Sequence, residues 1–211
     1  MHRNERSFRF RFPSLPIADP QGKREQILIA ALQLFDEKGF RGTSMAVIAE
    51  EAEVGAGTIY RYFDGKEDLV HQLYAAARQE AHQSILGLGF DDEASVRERL
   101  YTLWRAVLLD YVDCPRLYRF ILKYESSGYR QADARAQTED LEAPFEEIYR
   151  DGVEQGLFAD RPKSVYASFF AGTVTQLVQD HLNGDTTLDD DLIAQTFDML
   201  WAAYTADGAA G

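Results

Sequence analysis

The sequence predicts an all-α fold of about nine helices, with a small N-terminal part and a larger C-terminal part. Apolar residues recur three and four positions apart in one segment after another, and this spacing places side chains on one face of a helix. Glycine, proline and capping residues separate the segments, as they do at helix ends. Two short segments between Thr43 and Phe63 flank a tight turn, which predicts a helix-turn-helix.

The charge of the chain is distributed unevenly. The 211 residues are 45% hydrophobic, enough for a sizeable core, and the formal net charge is -13. Residues 1–72 hold ten basic and eleven acidic side chains, whereas residues 73–211 hold 12 and 24. Negative charge opposes a polyanionic partner unless basic groups are concentrated locally. The N-terminal part, which carries almost none of the excess acid, is therefore the candidate for binding such a partner.

Cysteine content and the lengths of the apolar runs limit where the chain works. Cys114 is the only cysteine, so neither an intrachain disulfide nor a cysteine-based metal cluster is expected. No run of about 18 apolar residues predicts a membrane span, and the N-terminus lacks the apolar core of a signal peptide. We expect a cytoplasmic protein.

Residues 1–20 predict a basic, flexible arm. They contain four arginines, three phenylalanines and three prolines without helical periodicity. Such arms follow DNA phosphates or enter a minor groove in some DNA-binding proteins. A disordered leader without a role has the same composition, so both interpretations stay open.

The first helix and the helix-turn-helix are predicted to pack together. Helix one runs from about Gly22 to Lys38 and ends at Gly39, a residue common at helix ends. In the next segment, Thr43 or Ser44 can cap the helix N-terminus. The inward-facing residues of the two short helices are Met45, Ile48, Ala49, Ala52, Ile59 and Phe63.

The outward face of the second short helix is unusual for a surface that only meets water. It consists of small residues, hydroxyls and one arginine instead of Glu, Lys and Gln. Small residues let a helix enter a major groove, hydroxyls bind phosphates, and an arginine can bind phosphate or guanine. An ordinary helical hairpin packed on helix one has the same periodicity and remains an alternative. The outward residues are Ala56, Gly57, Thr58, Tyr60, Arg61 and Tyr62.

The run AEVGAGTIYRYFDGKEDL resembles the DNA-binding signature of the TetR/AcrR family of bacterial helix-turn-helix transcriptional regulators. The family often has Gly where this chain has Glu53, His where it has Tyr62, and Ser where it has Gly55. The first two changes are compatible with the motif, whereas Gly55 removes one possible hydroxyl contact to DNA. The match extends upstream to Ala31, Phe35, Gly39, Phe40, Thr43 and Ile48.

The resemblance implies a role for each matching residue. Arg61 and the backbone at Ala56 and Gly57 would read bases. It also implies a homodimer that binds double-stranded operator DNA, with no cofactor, and most such proteins are repressors released by a small molecule. The predicted domains are the arm at 1–20, the helix-turn-helix domain at 21–72, and a helical ligand-binding and dimerisation domain at 73–211. Phosphate contacts would come from Thr43, Thr58, Tyr60, Tyr62 and Lys66.

Caps and apolar stripes predict the remaining helices. Asp64 with Glu67, and Ser95 with Glu98, have the spacing of capping boxes. Lys66 in the first turn of helix four favours a phosphate partner, although a solvated lysine is the simpler alternative. The predicted ranges are Asp64 to about Leu86 for helix four, Ser95 to near Pro115 for five, Arg116 to about Ser126 for six, Ala134 to Gln155 for seven, a start after Pro162 for eight, and a start near Thr187 and Asp190 for nine.

Helices five to eight are predicted to enclose an apolar effector pocket. Aromatic rings with a few polar tips suit a hydrophobic or amphipathic molecule, whereas a strongly anionic one would need more inward cations than Arg105 and Lys123. A close-packed core is the alternative for each of these side chains. The predicted lining residues are Trp104, Leu108, Tyr111, Phe120, Tyr124, Phe145, Phe169, Thr173 and Gln176.

Helices eight and nine each carry apolar residues on more than one face, which predicts a partner subunit. With their two-fold mates they would form a four-helix interface that includes Val174, Val178, Phe197 and Trp201.

The sequence contains no motif for catalysis or metal binding. Its four histidines are far apart, and it has neither a Gly-rich phosphate loop nor a nucleophile elbow. We therefore expect a ligand-responsive transcriptional regulator without catalytic residues or metal. An all-helical enzyme and a protein-interaction adaptor without DNA binding remain the alternatives.

Overall fold

The computed structural model of the chain describes residues 22–86, 93–130, 143–159 and 161–205, with only the backbone described over 80–86. Within these ranges it contains nine α-helices and no strand, which confirms the predicted all-α class. The predicted arm at 1–20 lies outside the described residues. The helices are α1 Lys23–Lys38, α2 Met45–Glu51, α3 Ala56–Tyr62, α4 Lys66–Leu86, α5 Val96–Asp113, α6 Pro115–Glu125, α7 Ala143–Glu154, α8 Lys163–Asn183 and α9 Asp190–Thr205.

Local capping chemistry sets the helix ends. Gly39 ends α1 with a left-handed φ of 69°, which glycine adopts without steric cost. Ser95 and Glu98 form both bonds of the predicted capping box at the start of α5. The capping partner predicted for Asp64 is wrong. The Asp64 N–H donates to the carboxylate of Asp68 and not to that of Glu67.

The chain folds into two compact units. The first contains α1 to α3, α4 as far as residue 80, and α6, while the second contains α5, α7, α8, α9 and the end of α4. The domain predicted at residues 73–211 includes α6. The unit that carries the helix-turn-helix therefore includes a helix from the middle of the chain. The predicted boundary at residue 72 stays a prediction.

Aromatic packing attaches α6 to α1 in the first unit. The ring of Phe120 on α6 stacks on Phe35 of α1 with centroids 6.2 Å apart, and Phe40 meets both rings edge-on. Phe35 and Phe120 are fully buried. On α4, the ring of Tyr74 stacks on Tyr124 of α6 at 3.9 Å. Aromatic pairs with these geometries stabilise a core beyond the area that they bury.

A charged cluster reinforces the same attachment. Arg119 donates two hydrogen bonds, at 2.8 and 2.5 Å, to the two carboxylate oxygens of Asp36. Lys123 Nζ lies 3.4 Å from the same carboxylate and donates to the carbonyl oxygens of Phe35 and Asp36 at the end of α1. The hydrogen bond from Arg119, opposed by partial burial, lowers the pKa of Asp36 below its usual value. We call Asp36, Arg119 and Lys123 the α1–α6 clamp.

The core of the second unit is built around Trp104 of α5. Its ring is fully buried and lies edge-on to Phe170 of α8 at 5.3 Å. Its indole N–H donates to the carbonyl oxygen of Ile193 on α9 at 3.3 Å, so the polar edge of the ring is satisfied. Tyr204 of α9 and Tyr166 of α8 each donate a hydroxyl hydrogen bond to a backbone carbonyl, both at 2.6 Å.

We predict that Asp36→Asn lowers the free energy of unfolding by about 1 to 2 kcal/mol at pH 7, because it removes the charge that two cations share. A lowered carboxylate pKa adds stability above the ordinary aspartate value of about 4, and this stability is lost as the pH falls through the lower folded value. The difference between variant and wild type should therefore shrink below about pH 4 in urea unfolding.

The matched control is Asp198→Asn, which breaks an ion pair with Arg97 in which both side chains are more than half exposed. It should cost less than about 0.5 kcal/mol. Equal effects of the two substitutions would show that the clamp adds nothing beyond a surface ion pair.

Candidate nucleic-acid interface and effector site

The helix-turn-helix is held by a small set of buried side chains. Ile48 of α2, Ile59 of α3 and Phe63 just after it have 0 or 1% of their surface exposed. Gly55 is the N-cap of α3, and its extended backbone starts the helix without a side-chain cap bond. The buried residues fix α3 by one face, so the opposite face of this seven-residue helix is presented outward.

The presented face contains the predicted recognition residues. Ala56, Gly57, Tyr60 and Arg61 are exposed, Tyr60 by 58%. Thr58, Tyr62 and Lys66 are half-buried, with Lys66 in the first turn of α4. No ion pair forms to Arg61 or Lys66 among the described residues, which leaves both charges available to a partner.

Gly57 has no steric reason to be glycine within the described chain. A Cβ built at this position would have no neighbouring heavy atom within 4 Å. Glycine inside a helix costs roughly 0.5 to 1 kcal/mol relative to alanine. The small size of Gly57 therefore brings no packing benefit in the chain itself, and it suits the close approach of an outside surface.

The predicted phosphate contact from Thr43 is wrong for its side chain. Thr43 is only 2% exposed, and its hydroxyl lies within hydrogen-bond distance of the carbonyl oxygens of Gly39, at 3.0 Å, and Leu34, at 3.3 Å. The neighbouring Ser44 is exposed and is the N-cap of α2, where its Oγ accepts from the Val47 N–H at 3.4 Å. The sequence left Thr43 and Ser44 as equal candidates for the cap, because both residues are common there.

Glu53 lies in the turn between α2 and α3. Its φ is 54°, in the left-handed region, and it is the one described residue other than glycine with a positive φ. A left-handed conformation costs a residue with a Cβ about 1 kcal/mol. The helix-turn-helix packing therefore imposes this turn although the local residue disfavours it.

Four of the predicted pocket residues are fully buried within the single chain. Trp104, Leu108, Phe120 and Tyr124 each have 0 or 1% of their surface exposed. Trp104 and Leu108 lie in the second unit, whereas Phe120 and Tyr124 are on α6 in the first. The first pair is a candidate for lining a site in the second unit, and Phe120 and Tyr124 contribute to the attachment of α6.

Three other predicted pocket residues lie on the outer face of α8, so their assignment to an internal pocket is wrong. Phe169 is 49% exposed and Gln176 is exposed, while Thr173 between them is half-buried. The Thr173 hydroxyl donates to the carbonyl oxygen of Phe169 at 2.7 Å, and the Gln176 amide donates to Asp180 at 2.7 Å. The remaining two, Tyr111 and Phe145, are half-buried.

The predicted dimer residues show the reverse error. Val174, Val178 and Phe197 have 2% or less of their surface exposed within the single chain, so they cannot anchor a partner. Trp201 is half-buried and stays available. The residues that the two terminal helices do expose are Val165 at 48%, Phe169 at 49% and Met199 at 72%.

A groove of about 320 Å³ lies between α5 and α9 in the second unit. The guanidinium of Arg97 lies over the Phe197 ring at 5.4 Å and bonds Asp198 at 2.6 Å. The groove contains none of the nine residues predicted for the effector pocket. Its lining residues are Arg97, Glu98, Tyr101, Thr102, Ala194, Phe197 and Asp198.

The prediction that Arg105 and Lys123 point inward is wrong, because their side chains are 45% and 40% exposed. Arg105 is paired with Asp190 at 3.0 Å, and Lys123 belongs to the α1–α6 clamp. Arg78 of α4 is half-buried, and its Nε atom has no hydrogen-bond partner. The sequence signal that could have identified Arg78 as a partly buried cation is its position directly after Ala76 and Ala77. Both alanines are buried.

Metal sites and membrane-spanning helices are both absent from the described part of the chain. There, no group of three or more His, Cys, Asp or Glu side chains is arranged to hold a metal ion. The same residues include no helix with the length and apolar character needed to span a membrane.

Comparison with known proteins gives two family matches that together cover most of the chain. Residues 27–73 match the tetR family of bacterial regulatory proteins. Residues 96–205 match the Tetracyclin repressor-like C-terminal domain.

Individual relatives agree with these matches. The transcriptional regulator HbdR of Aromatoleum sp. (strain CIB) is 32% identical over 133 residues, which are 60% of this chain and 55% of HbdR. The transcriptional repressor KstR2 of Rhodococcus jostii (strain RHA1) is 28% identical over 98 residues, 45% of this chain and 48% of KstR2. The chain thus spans about half the length of these curated relatives. A solved TetR-family protein from Vibrio parahaemolyticus is 31% identical, with a TM-score of 0.71 over 86% of this chain and 98% of that one.

Proposed function

Because the chain belongs to the tetR family of bacterial regulatory proteins, we propose that it binds operator DNA and releases it when a small molecule binds. The observation that carries the proposal is the outer face of α3, where Gly57 has open space around it and Arg61 has no described partner. The resemblance to KstR2, a repressor, supports repression as the mode of action. We infer a cytoplasmic protein that acts by binding, without a catalytic step.

DNA recognition would use α3 as the helix that enters the major groove. Arg61 and the backbone at Ala56 and Gly57 would approach base edges, since small residues allow close contact there. Phosphates would be bound by side chains at the rim of this face, including the exposed N-cap Ser44, which replaces Thr43 in this role. The other members of this set are Thr58, Tyr60, Tyr62 and Lys66.

We propose a homodimer formed through the outer faces of α8 and α9. Val165, Phe169 and Met199 are each about half exposed or more, which is unusual for three large apolar side chains on two adjacent helices. Gly172, one turn after Phe169, is exposed, and a Cβ there would meet nothing within 4 Å. A glycine inside a long helix without an internal packing role suits a close helix crossing with a partner.

Effector binding would work by favouring a form of the dimer that binds the operator less well. A ligand shifts such an equilibrium only by the difference in its affinity for the two forms. Trp104 and Leu108 remain candidates for lining the site, together with the half-buried Tyr111 and Phe145. A mostly apolar lining supports a hydrophobic or amphipathic effector.

We predict that Gly57→Ala separates stability from function. Alanine should raise the free energy of unfolding by about 0.5 to 1 kcal/mol, because it restricts the unfolded chain and clashes with nothing. The added methyl should weaken operator binding at least about tenfold if the backbone approaches DNA here. Urea unfolding and fluorescence anisotropy with DNA from upstream of its own gene measure the two effects.

The control for this substitution is Gly128→Ala, at a loop glycine that also has open space around it. It should leave operator binding unchanged. Wild-type operator affinity in Gly57→Ala would mean that α3 does not approach DNA at this position.

We predict different effects from removing Arg61 and Lys66, the two unpaired cations of the helix-turn-helix domain. Lys66→Ala should weaken binding to every sequence and reduce the salt slope by about 1, as loss of one phosphate contact does. Arg61→Ala should relax the preference at one base position. Titrations of a set of singly substituted operators at several salt concentrations distinguish the two patterns.

Arg116→Ala is the matched control, since Arg116 is an exposed arginine outside the recognition face. It should change neither affinity nor salt slope. A base-reading role for Arg61 is excluded if Arg61→Ala keeps both its affinity and its sequence preference.

We predict that Phe169→Asp produces folded monomers that no longer hold a two-half-site operator, because a charge is placed in the proposed apolar interface. Light scattering measures the mass and circular dichroism checks the fold. The matched control is Val153→Asp, which places a charge at an apolar residue of similar exposure, 47%, on α7. A wild-type chain that remains monomeric at micromolar concentration would contradict the dimer.

A further inference from the structure

A series of hydrogen bonds leads from α1 to the turn between α3 and α4. The Arg24 guanidinium donates to the amide oxygen of Gln72 at 2.6 Å. The amide nitrogen of Gln72 lies 2.9 Å from each carboxylate oxygen of Asp68. That carboxylate also accepts from the Asp64 N–H at 3.0 Å. We call these four residues, Arg24, Gln72, Asp68 and Asp64, the α1–α4 bridge.

The bridge encloses Lys66, the proposed phosphate-binding residue in the first turn of α4. The hydrogen bond between Asp64 and Asp68 spans Lys66 and fixes the backbone on both sides of it. Because Gln72 holds the Asp68 carboxylate and Arg24 holds Gln72, this turn is fixed relative to α1. Apolar contacts allow two helices to slide, whereas hydrogen bonds are directional and specify one arrangement.

The same bridge contacts the end of the recognition helix. The Arg24 guanidinium lies over the ring of Phe63, the residue that ends α3, at 5.6 Å from the ring centroid. Arg24 is only 7% exposed and Phe63 1%. Burying a guanidinium costs free energy that its partners have to offset, and apolar side chains often fill such a space with equal stability. The arrangement that the bridge specifies is therefore a better explanation for it than stability.

The chemistry at position 72 requires an amide. One end of the side chain must accept from a guanidinium, and the other end must donate to a carboxylate. Gln72→Glu keeps the first bond but sets two carboxylates against each other. Adding Asp68→Asn exchanges acid and amide, so that every bond is kept. The carboxylate at position 72 then accepts from Arg24 and from the amide at 68, whose oxygen accepts from the Asp64 N–H.

We propose that Gln72 is a positioning residue for DNA binding, which holds the first turn of α4 through Asp68 so that Lys66 meets an operator phosphate. The bridge also engages the Asp68 carboxylate, one of three acidic groups within two residues of Lys66, with donors other than this lysine. This inference rests on the proposed function and deepens it, because it names a residue that acts on DNA through another residue.

The first test is operator titration of Gln72→Met by fluorescence anisotropy at several salt concentrations. Methionine has a similar length and favours a helix, but it makes neither hydrogen bond. We expect about tenfold weaker binding and a salt slope reduced by about 1, because one phosphate contact is lost. In a Lys66→Ala background, Gln72→Met should cost less than about twofold more, since that contact is already absent. A purely structural role would leave the salt slope unchanged and would add to the effect of Lys66→Ala.

The second test is the exchange of acid and amide. Gln72→Glu should lose about tenfold or more in operator affinity, and the double variant Gln72→Glu/Asp68→Asn should return to within about threefold of the wild type with its full salt slope. The double variant also has the net charge of the wild type. Gln33→Met and Gln33→Glu are the matched controls, at a half-buried glutamine of α1 outside the bridge, and both should keep the wild-type salt slope.

Circular dichroism checks the fold of each variant, and if Gln72→Met does not fold, the exchanged pair decides. The proposal is overturned if folded Gln72→Met keeps the affinity and salt slope of the wild type, or if its loss is undiminished in the Lys66→Ala background. Failure of the exchanged pair to restore binding overturns it as well. A wild type that does not bind DNA refutes the proposed function and this inference together, whereas the other outcomes refute the role of Gln72 alone.

Discussion

The attachment of α6 to α1 is the constraint on which the first unit depends. Asp36 is the single carboxylate between Arg119 and Lys123, and Lys123 also binds the last carbonyls of α1. Next to these charges in the sequence, Phe35 and Phe120 stack as fully buried rings, and the Asp36 side chain is only 12% exposed although its two cations are about 40% exposed. A helix from the middle of the chain thereby becomes part of the unit that carries the recognition helix. A displacement of α6 would therefore displace part of that unit.

Two exposed glycines lie on the surfaces proposed for DNA and for a partner subunit. Gly57 on α3 and Gly172 on α8 both lie within helices, where glycine lowers stability, and neither is needed for packing within the described chain. Large apolar or cationic residues flank each one, Arg61 in the first case and Phe169 in the second. The cost in helix stability is understandable when another molecule must approach the backbone closely at these positions.

The distribution of ion pairs reconciles a net charge of -13 with a polyanionic partner. In the described second unit, arginines such as Arg99 and Arg105 are each bound to an aspartate. In the head, by which we mean the predicted helix-turn-helix domain at residues 21–72, the described Arg41, Arg61 and Lys66 form no ion pair. Much of the acidic excess in the second unit therefore pairs with its own cations, while Arg41, Arg61 and Lys66 stay available. Repulsion between DNA and the remaining acid would orient the head toward the duplex.

The sequence by itself determined the features that depend on neighbouring residues along the chain. The capping box at Ser95, the helix end at Gly39 and the outward face of α3 all follow from hydrogen bonds or side-chain spacing within one or two turns. Periodicity also revealed two apolar stripes on α8. It could not decide which stripe is buried, because the spacing of Phe169 and Thr173 is the same as that of Val174 and Val178.

Only the tertiary structure settled such choices, since they depend on which other elements cover a surface. Packing within the second unit buries Val174 and Val178 and leaves Phe169 exposed. The carbonyls of Leu34 and Gly39, brought to Thr43 by the turn after α1, remove its hydroxyl from the DNA-binding set. The sequence likewise did not reveal that α6 packs on α1 or that Arg78 forms no ion pair within the described chain. A local pattern specifies that a face is apolar or charged, and long-range contacts specify what that face meets.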